Sequence, residues 1–319
     1  MTFLEHISNV IGNEEANKLI NAIEEEPVKC LRVNTMYLNV EDFKNKYPNI
    51  TQNENIDYSF YYDKKEYDLG KSKEHFGGGI YIQDASAMLV THLLDPKENE
   101  RVIDLCAAPG GKATQAAILM NNTGLVVAND YNDKRSDILS ENVERLGISN
   151  TIVLNNNVDV IAKHFGGYFD KVILDAPCSG VGMFRKNDEA YLDWTIDKVH
   201  RLSALQKELI MDAYSLLRNG GTMVYSTCTF EKEENEEVVQ YLLDNTNAEL
   251  INIKDIKGAI RGLNMKETIR LYPTYFKGEG QFIALIKCND EHQINLNKYQ
   301  NKNKQLPQSI KLINDFILE

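Results

Sequence analysis

From Val102 onward, short apolar runs alternate with stretches of helical length, and this alternation constrains the fold more than any other feature of the chain. The runs expected as strands are Val102–Leu105, Leu125–Asn129, Thr151–Leu154, Lys171–Leu174, Met223–Ser226 and Phe282–Ile286. Helices are expected at Lys112–Met120, Asp133–Leu146, Ile196–Leu217 and Glu233–Leu243. Repeated βα units imply an α/β fold: a parallel sheet with helices on both faces. Ligands of such sheets bind at the carboxyl ends of the strands. The residues that follow each strand therefore matter most.

Before this pattern, residues 1–68 read as a small α+β unit. Phe3–Glu26 has helical spacing of apolar residues and ends at Pro27. Cys30–Asn34 is a short strand, residues 49–57 a polar loop, and Gly77-Gly78-Gly79 a turn. Residues 69–289 form the main domain. Residues 290–319 read as a polar tail that closes on an apolar stretch, Ile310–Leu318, and points toward a domain beyond it.

Composition narrows the function. Hydrophobic residues make up 43% and charged residues 26%, ordinary globular values. No apolar run reaches the roughly 18 residues of a membrane span, and the N-terminus lacks the pattern of a signal peptide, so a cytoplasmic protein is expected, off the membrane. Five scattered cysteines with no Cys-x-x-Cys, and six scattered histidines, argue against a disulfide framework or a metal site. The net charge of −12 disfavours wrapping of nucleic acid, though not deep engagement of one nucleotide. Basic residues available for phosphate contacts are Arg32, Lys134, Arg135, Arg185, Lys186 and Arg201.

The first expected strand runs into Cys106-Ala107-Ala108-Pro109-Gly110-Gly111-Lys112. Two glycines and small neighbours let a ligand approach the backbone. The stretch lacks both the Gly-x-Gly-x-x-Gly spacing of a dinucleotide site and the Gly-Lys-Ser/Thr of a phosphate loop. A nucleotide-like ligand without pyrophosphate fits better, and S-adenosylmethionine is the usual one. Asp130, at the end of the second strand, is placed for ribose hydroxyls. Asp159, after the third, is placed for an adenine amino group or simply caps a helix.

Strand four ends in Asp175-Ala-Pro-Cys178-Ser-Gly and strand five in Tyr225-Ser-Thr-Cys228. Both belong at the sheet edge that carries the glycine turn. Two cysteines and a carboxylate beside such a cofactor suit carbon methylation of a pyrimidine. A thiolate added to C6 makes C5 of cytosine nucleophilic, and a carboxyl group such as Asp175 holds the N3/N4 edge.

These motifs resemble the Sun/RsmB/RsmF-type family of RNA cytosine-C5 methyltransferases. Leu31-Arg-Val-Asn-Thr35, Tyr81-Ile-Gln-Asp-Ala-Ser86, Arg270-Leu-Tyr-Pro273 and Gly278-Glu-Gly-Gln-Phe282 extend the likeness, which is closest to the RsmF type. The resemblance implies a class I Rossmann-like methyltransferase with a seven-stranded, mostly parallel sheet, whose last strand is antiparallel and pairs with one near Ile251. It implies that Cys106 to Lys112 cradle S-adenosylmethionine with Asp130, Arg135, Asp159 and Asp175. Cys228 is then the nucleophile, while Cys178 assists product release. The implied partner is RNA, ribosomal RNA of the small subunit first and tRNA second, engaged by a monomer. Thr274 and Gln281 stand where relatives often carry histidine. The resemblance also implies a C-terminal RNA-binding domain absent from these 319 residues. Two rivals predict other features. A non-catalytic RNA-binding assembly factor predicts a damaged loop or a lost nucleophile. A methyltransferase for protein or small molecules would not need both cysteines.

Overall fold

The structure, a computed structural model, describes residues 2–186 and 191–292. The expected tail from residue 293 on lies outside the described residues.

The chain opens with two helices, α1 (Phe3–Ile11) and α2 (Asn13–Ile23), rather than the single helix expected. Gly12 at φ 87° separates them, a left-handed backbone that glycine adopts without penalty. Then come β1 (Lys29–Val33), α3 (Val40–Lys46), β2 (Thr51–Asn53) and β3 (Ile56–Tyr62). After a short helix α4 (Lys73–Phe76) lies β4 (Ile80–Ile82). These strands form an antiparallel sheet in the order β2-β3-β1-β4. The expected loop over residues 49–57 is thus partly an edge strand. The fourth strand comes from beyond residue 68, so the small sheet draws on residues past that point.

The large sheet begins after α5 (Ala85–Leu94), whose N-cap is the Asp84 carboxylate. β5 (Arg101–Asp104), α6 (Gly111–Leu119), β6 (Leu125–Asn129), α7 (Asp133–Arg145), β7 (Thr151–Leu154), α8 (Val158–Phe165) and β8 (Phe169–Asp175) follow in alternation. The chain continues through α9 (Ile196–Ser215), β9 (Leu217–Thr227), α10 (Glu236–Asn245), β10 (Glu249–Ile251), β11 (Ala259–Gly262), β12 (Met265–Leu271) and β13 (Gln281–Lys287). The order is β11-β12-β13-β9-β8-β5-β6-β7, with β10 beside β13.

β5 to β9 are parallel and β13 is antiparallel to β9, as expected, with Ile251 opposite Leu285. The sheet has nine strands instead of seven, because the β11–β12 hairpin and β10 extend its antiparallel edge. The central strands read as continuous apolar runs because both faces are covered. Ala113, Ala116 and Ala117 of α6 pack with Val102, Val126 and Val224 on one face. Phe165, Ile210 and Tyr214 pack with Val127, Val172 and Tyr225 on the other. The buried Arg270–Glu236 ion pair joins β12 to α10. His6 of α1 lies 2.7 Å from Glu231, just beyond β9, and ties the N-terminal helices to that edge.

Candidate active site

The expected sites gather where β5, β8 and β9 end. β5 delivers the 106–112 loop, which turns at Gly110 with φ 110° and starts α6 at Gly111. A Cβ at Gly110 would sit 3.1 Å from Leu139 Cδ1, so the loop is close-packed against α7 as well as left-handed. Arg135 of α7 donates to the Ala108 carbonyl at 2.7 Å and lies 3.3 Å from Asp130 Oδ2. It therefore braces the loop against the carboxylate after β6.

Asp130 is 1% exposed, and its Oδ1 accepts the Asn132 N–H at 3.0 Å. Its Oδ2 has no hydrogen bond, because the Arg135 contact is an ion pair without hydrogen-bond geometry. A buried carboxylate oxygen left open beside a glycine turn fits a ligand with hydroxyl groups. Asp104 is also buried with both oxygens unbonded, and burial pushes its carboxyl up to about 7. Burial likewise raises the Cys106 thiol, which sits within this loop. Asp159 is placed differently. It stands in the first turn of α8, half-exposed and bound to Lys163 at 2.6 Å. Asn157, not Asp159, occupies the cap position.

Asp175 accepts three side-chain donors. Its Oδ2 accepts Lys112 Nζ at 2.5 Å, and its Oδ1 accepts Ser226 Oγ at 2.6 Å and Gln281 Nε2 at 2.9 Å. The 106–112 loop, β9 and β13 thus all converge on one carboxylate. For Lys112, burial pulls the ammonium down, but Asp175 outweighs it and the net direction is up.

The sulfur atoms of Cys178 and Cys228 lie 2.9 Å apart, both thiols free and half-buried. The hydrogen bond to Cys228 pushes Cys178 well above the usual thiol range, and burial adds to it. Cys178 accordingly favours its protonated form, and either sulfur can donate to the other. The Cys228 carbonyl receives the Gly182 N–H at 2.9 Å. A Cβ on Gly182 would come within 3.0 Å of that oxygen, so the approach needs glycine.

Residues 91–287 match the family model of the 16S rRNA methyltransferase RsmB/F. The chain belongs to the RsmB/F methyltransferase family. Residues 1–85 match the N-terminal domain of 16S rRNA methyltransferase RsmF. Ribosomal RNA small subunit methyltransferase F of Vibrio vulnificus strain YJ016 is 36% identical over 307 residues, 90% of this chain and 63% of that protein. The Citrobacter koseri protein of the same name is 39% identical over 230 residues, 70% of this chain and 48% of its own length. The chain thus spans between about half and two thirds of the length of these curated relatives. A methyltransferase homolog protein from Pyrococcus horikoshii superposes with TM-score 0.78 at 33% identity, covering 86% of this chain and 91% of its own. NSun6 from the same organism, solved with SFG, gives TM-score 0.82 at 24% identity over 90% of this chain and 98% of its own, a likeness of fold.

Several sequence expectations for this RsmB/F-family chain need correction. Arg32 is no phosphate contact: it is 1% exposed and donates to Gln83 at 2.9 Å and Thr114 at 2.7 Å. Arg185 is also turned inward, donating to the Ala22 carbonyl at 2.5 Å. Lys186 pairs with Glu279 at 3.2 Å, while Lys134 and Arg201 are exposed. Sequence reasoning misses Ser226 and Gln281 as ligands of Asp175. Ser226 follows Tyr225 directly in the Cys228 motif, so strand alternation is the signal that could have found it.

Proposed function

We propose that the chain methylates C5 of a cytosine in RNA, with Cys228 as nucleophile, and that the RNA is ribosomal RNA of the small subunit. One observation carries this reading: two free thiols in contact at the ends of adjacent parallel strands, beside the Lys112–Asp175 pair. Methylation at oxygen or nitrogen needs no covalent thiol, and an assembly factor needs neither group.

S-adenosylmethionine, when bound, supplies the methyl group. The open Asp130 oxygen suits its ribose, and Lys112 and Asp175 close the side toward the thiols. In the reaction, the Cys228 thiolate adds to C6 of a cytosine taken out of its stack. Asp175 stabilises the ring at its N3/N4 edge while C5 gains electron density and takes the methyl group. A base then removes the C5 proton, the C6–S bond breaks, and its electrons return to Cys228. Cys178, in contact with that sulfur, assists this release.

RNA as partner is supported by a groove on the small sheet. Lys29, Lys64, Lys65 and Lys277 line it with Tyr61 and Tyr62, against the acids Glu26 and Asp63. A net positive groove on a chain of net charge −12 suits a phosphate backbone. Lys277 lies 4.4 Å over the Tyr61 ring.

The test is direct. Purified protein, S-adenosylmethionine and small-subunit ribosomal RNA, naked or assembled, are incubated and the RNA is mapped for 5-methylcytosine. One or a few modified cytosines are expected, absent with Cys228→Ala. Methyl transfer that persists in Cys228→Ala sinks the covalent reading.

A further inference from the structure

Each cysteine is straddled by a buried clasp, and the two clasps come from consecutive residues of one turn before α10. Asn235 accepts from Thr227 Oγ1 at 2.5 Å and donates to the Thr229 carbonyl at 3.0 Å. These are the residues immediately before and after Cys228. Glu234 Oε2 accepts the Ser179 N–H at 2.9 Å, and also Gln206 Nε2 at 2.8 Å. Gln206 Nε2 in turn donates to the Pro177 carbonyl at 2.8 Å. Residues 177 and 179 flank Cys178. The two loops are joined by Ser179 Oγ and Thr229 Oγ1, 2.8 Å apart.

Glu234, Asn235 and Gln206 are fully buried, so water does not compete for these bonds. The turn itself is fixed by the Tyr225 hydroxyl, which donates to the Glu234 carbonyl at 2.6 Å. α10 is anchored to the sheet by Glu236, which is engaged with Arg270, and by the buried Val238, Val239 and Leu242. The side chains of the two residues before it reach backward instead, to the ends of β8 and β9.

We propose that Glu234 and Asn235 are positioning residues that set the two thiols independently: Asn235 aims Cys228 for attack on C6, and Glu234, through the Ser179 N–H and Gln206, holds Cys178 for release. This rests on the reading of Cys228 as nucleophile. It divides one turn into two functions that separate in kinetics. Loss of Asn235 affects the addition step, and loss of Glu234 the breakdown of the adduct.

The experiment uses the full chain with small-subunit ribosomal RNA transcripts carrying either cytosine or 5-fluorocytosine. With fluorine at C5 no proton can leave, so the adduct persists after methyl transfer and its rate of appearance reports addition and methyl transfer without release. Turnover on the ordinary transcript includes release. Asn235→Ala is expected to slow adduct formation about a hundredfold, the scale of a misplacement near 1 Å. Asn235→Asp, which keeps the acceptor for Thr227 and loses the donor to Thr229, should fall between it and the parent. If Asn235→Ala does not fold, Asn235→Asp carries the same test. Glu234→Ala should trap at nearly the parent rate yet turn over at least tenfold more slowly, accumulating RNA–protein complex on ordinary RNA. Glu234→Gln, which still accepts the Ser179 N–H, should restore turnover. Equal slowing of both steps by both alanine variants, or no slowing by either, overturns the division of roles. Failure of the parent protein to trap on fluorinated RNA instead overturns the covalent reading beneath it.

Discussion

Gln281 donates its side-chain amide to Asp175 from 2.9 Å. An amide does not titrate, so Gln281 remains a donor at any pH. Gln281→Ala removes one of three donors to Asp175 and is expected to lower kcat about tenfold, roughly the 1.5 kcal/mol of a hydrogen bond to a charged group. Gln281→Glu should be worse, because a second carboxylate would face Asp175. Steady-state kinetics on the same RNA decide it; equal activity of parent and Gln281→Glu removes Gln281 from the site.

The cysteine pair should fail asymmetrically. Cys228→Ala deletes the group that adds to C6, so methyl transfer disappears while cofactor binding remains. Cys178→Ala leaves addition intact and should accumulate a covalent complex, seen as a retarded band on a denaturing gel. That band should be absent from the double variant. Trapping by Cys228→Ala and not by Cys178→Ala would reverse the two roles.

Asp130 should govern cofactor affinity. It is buried with one oxygen open, so Asp130→Ala removes a charged acceptor already positioned by Arg135. Calorimetry with S-adenosylmethionine and no RNA should show a loss of at least tenfold, in line with about 1.5–3 kcal/mol for such a bond. Asp159→Ala, by contrast, should leave affinity nearly unchanged, since its carboxylate faces solvent and Lys163.

Two buried carboxyls make stability depend on pH. Burial raises Asp104 from 3.8 to about 7 and Glu234 from 4.5 to about 7. The folded state therefore holds protons that the unfolded chain has released, and stability falls as pH rises from about 4 through 7. Glu234→Gln should gain thermal stability relative to the parent at pH 8 and little at pH 4. A shift of the same size at both values would show that Glu234 carries no extra proton in the folded state.

The lysine groove should report through salt. Charge reversal of Lys64, Lys65 and Lys277 is expected to weaken RNA binding across sequences. It should also flatten the dependence on salt, by about one unit of log–log slope for each phosphate no longer neutralised. Cofactor affinity should not change. If RNA affinity holds while a protein partner no longer binds, the groove serves that partner instead.

Much of this site is legible in the sequence because its chemistry stands at the ends of buried parallel strands. Asp104–Lys112, Asp175–Cys178 and Tyr225–Cys228 each follow an apolar run, and the sheet brings such ends to one edge. The antiparallel last strand is also legible, through Phe282 and Ile251. What escapes depends on long-range partners. A strand as polar as Thr51–Asn53 reads as loop, because only pairing with β3 makes it a strand. Arg32 and Arg185 read as surface charge because their partners lie far away in sequence. Glu234 stands in an acidic run that reads as a helix start or a solvated face for the same reason: the Ser179 N–H it accepts is 55 residues away.

Arg32 also bears on how such a chain is inherited. Its guanidinium starts in the small antiparallel sheet and ends on Thr114 and the Gly111 carbonyl, at the start of the helix that follows the cofactor turn. The first 85 residues are therefore not a detachable accessory. A chimera joining this leading segment to the catalytic portion of a distant cousin would have to exchange Arg32, Gln83 and Thr114 as one set, and recombination that separates them should yield a turn without its support.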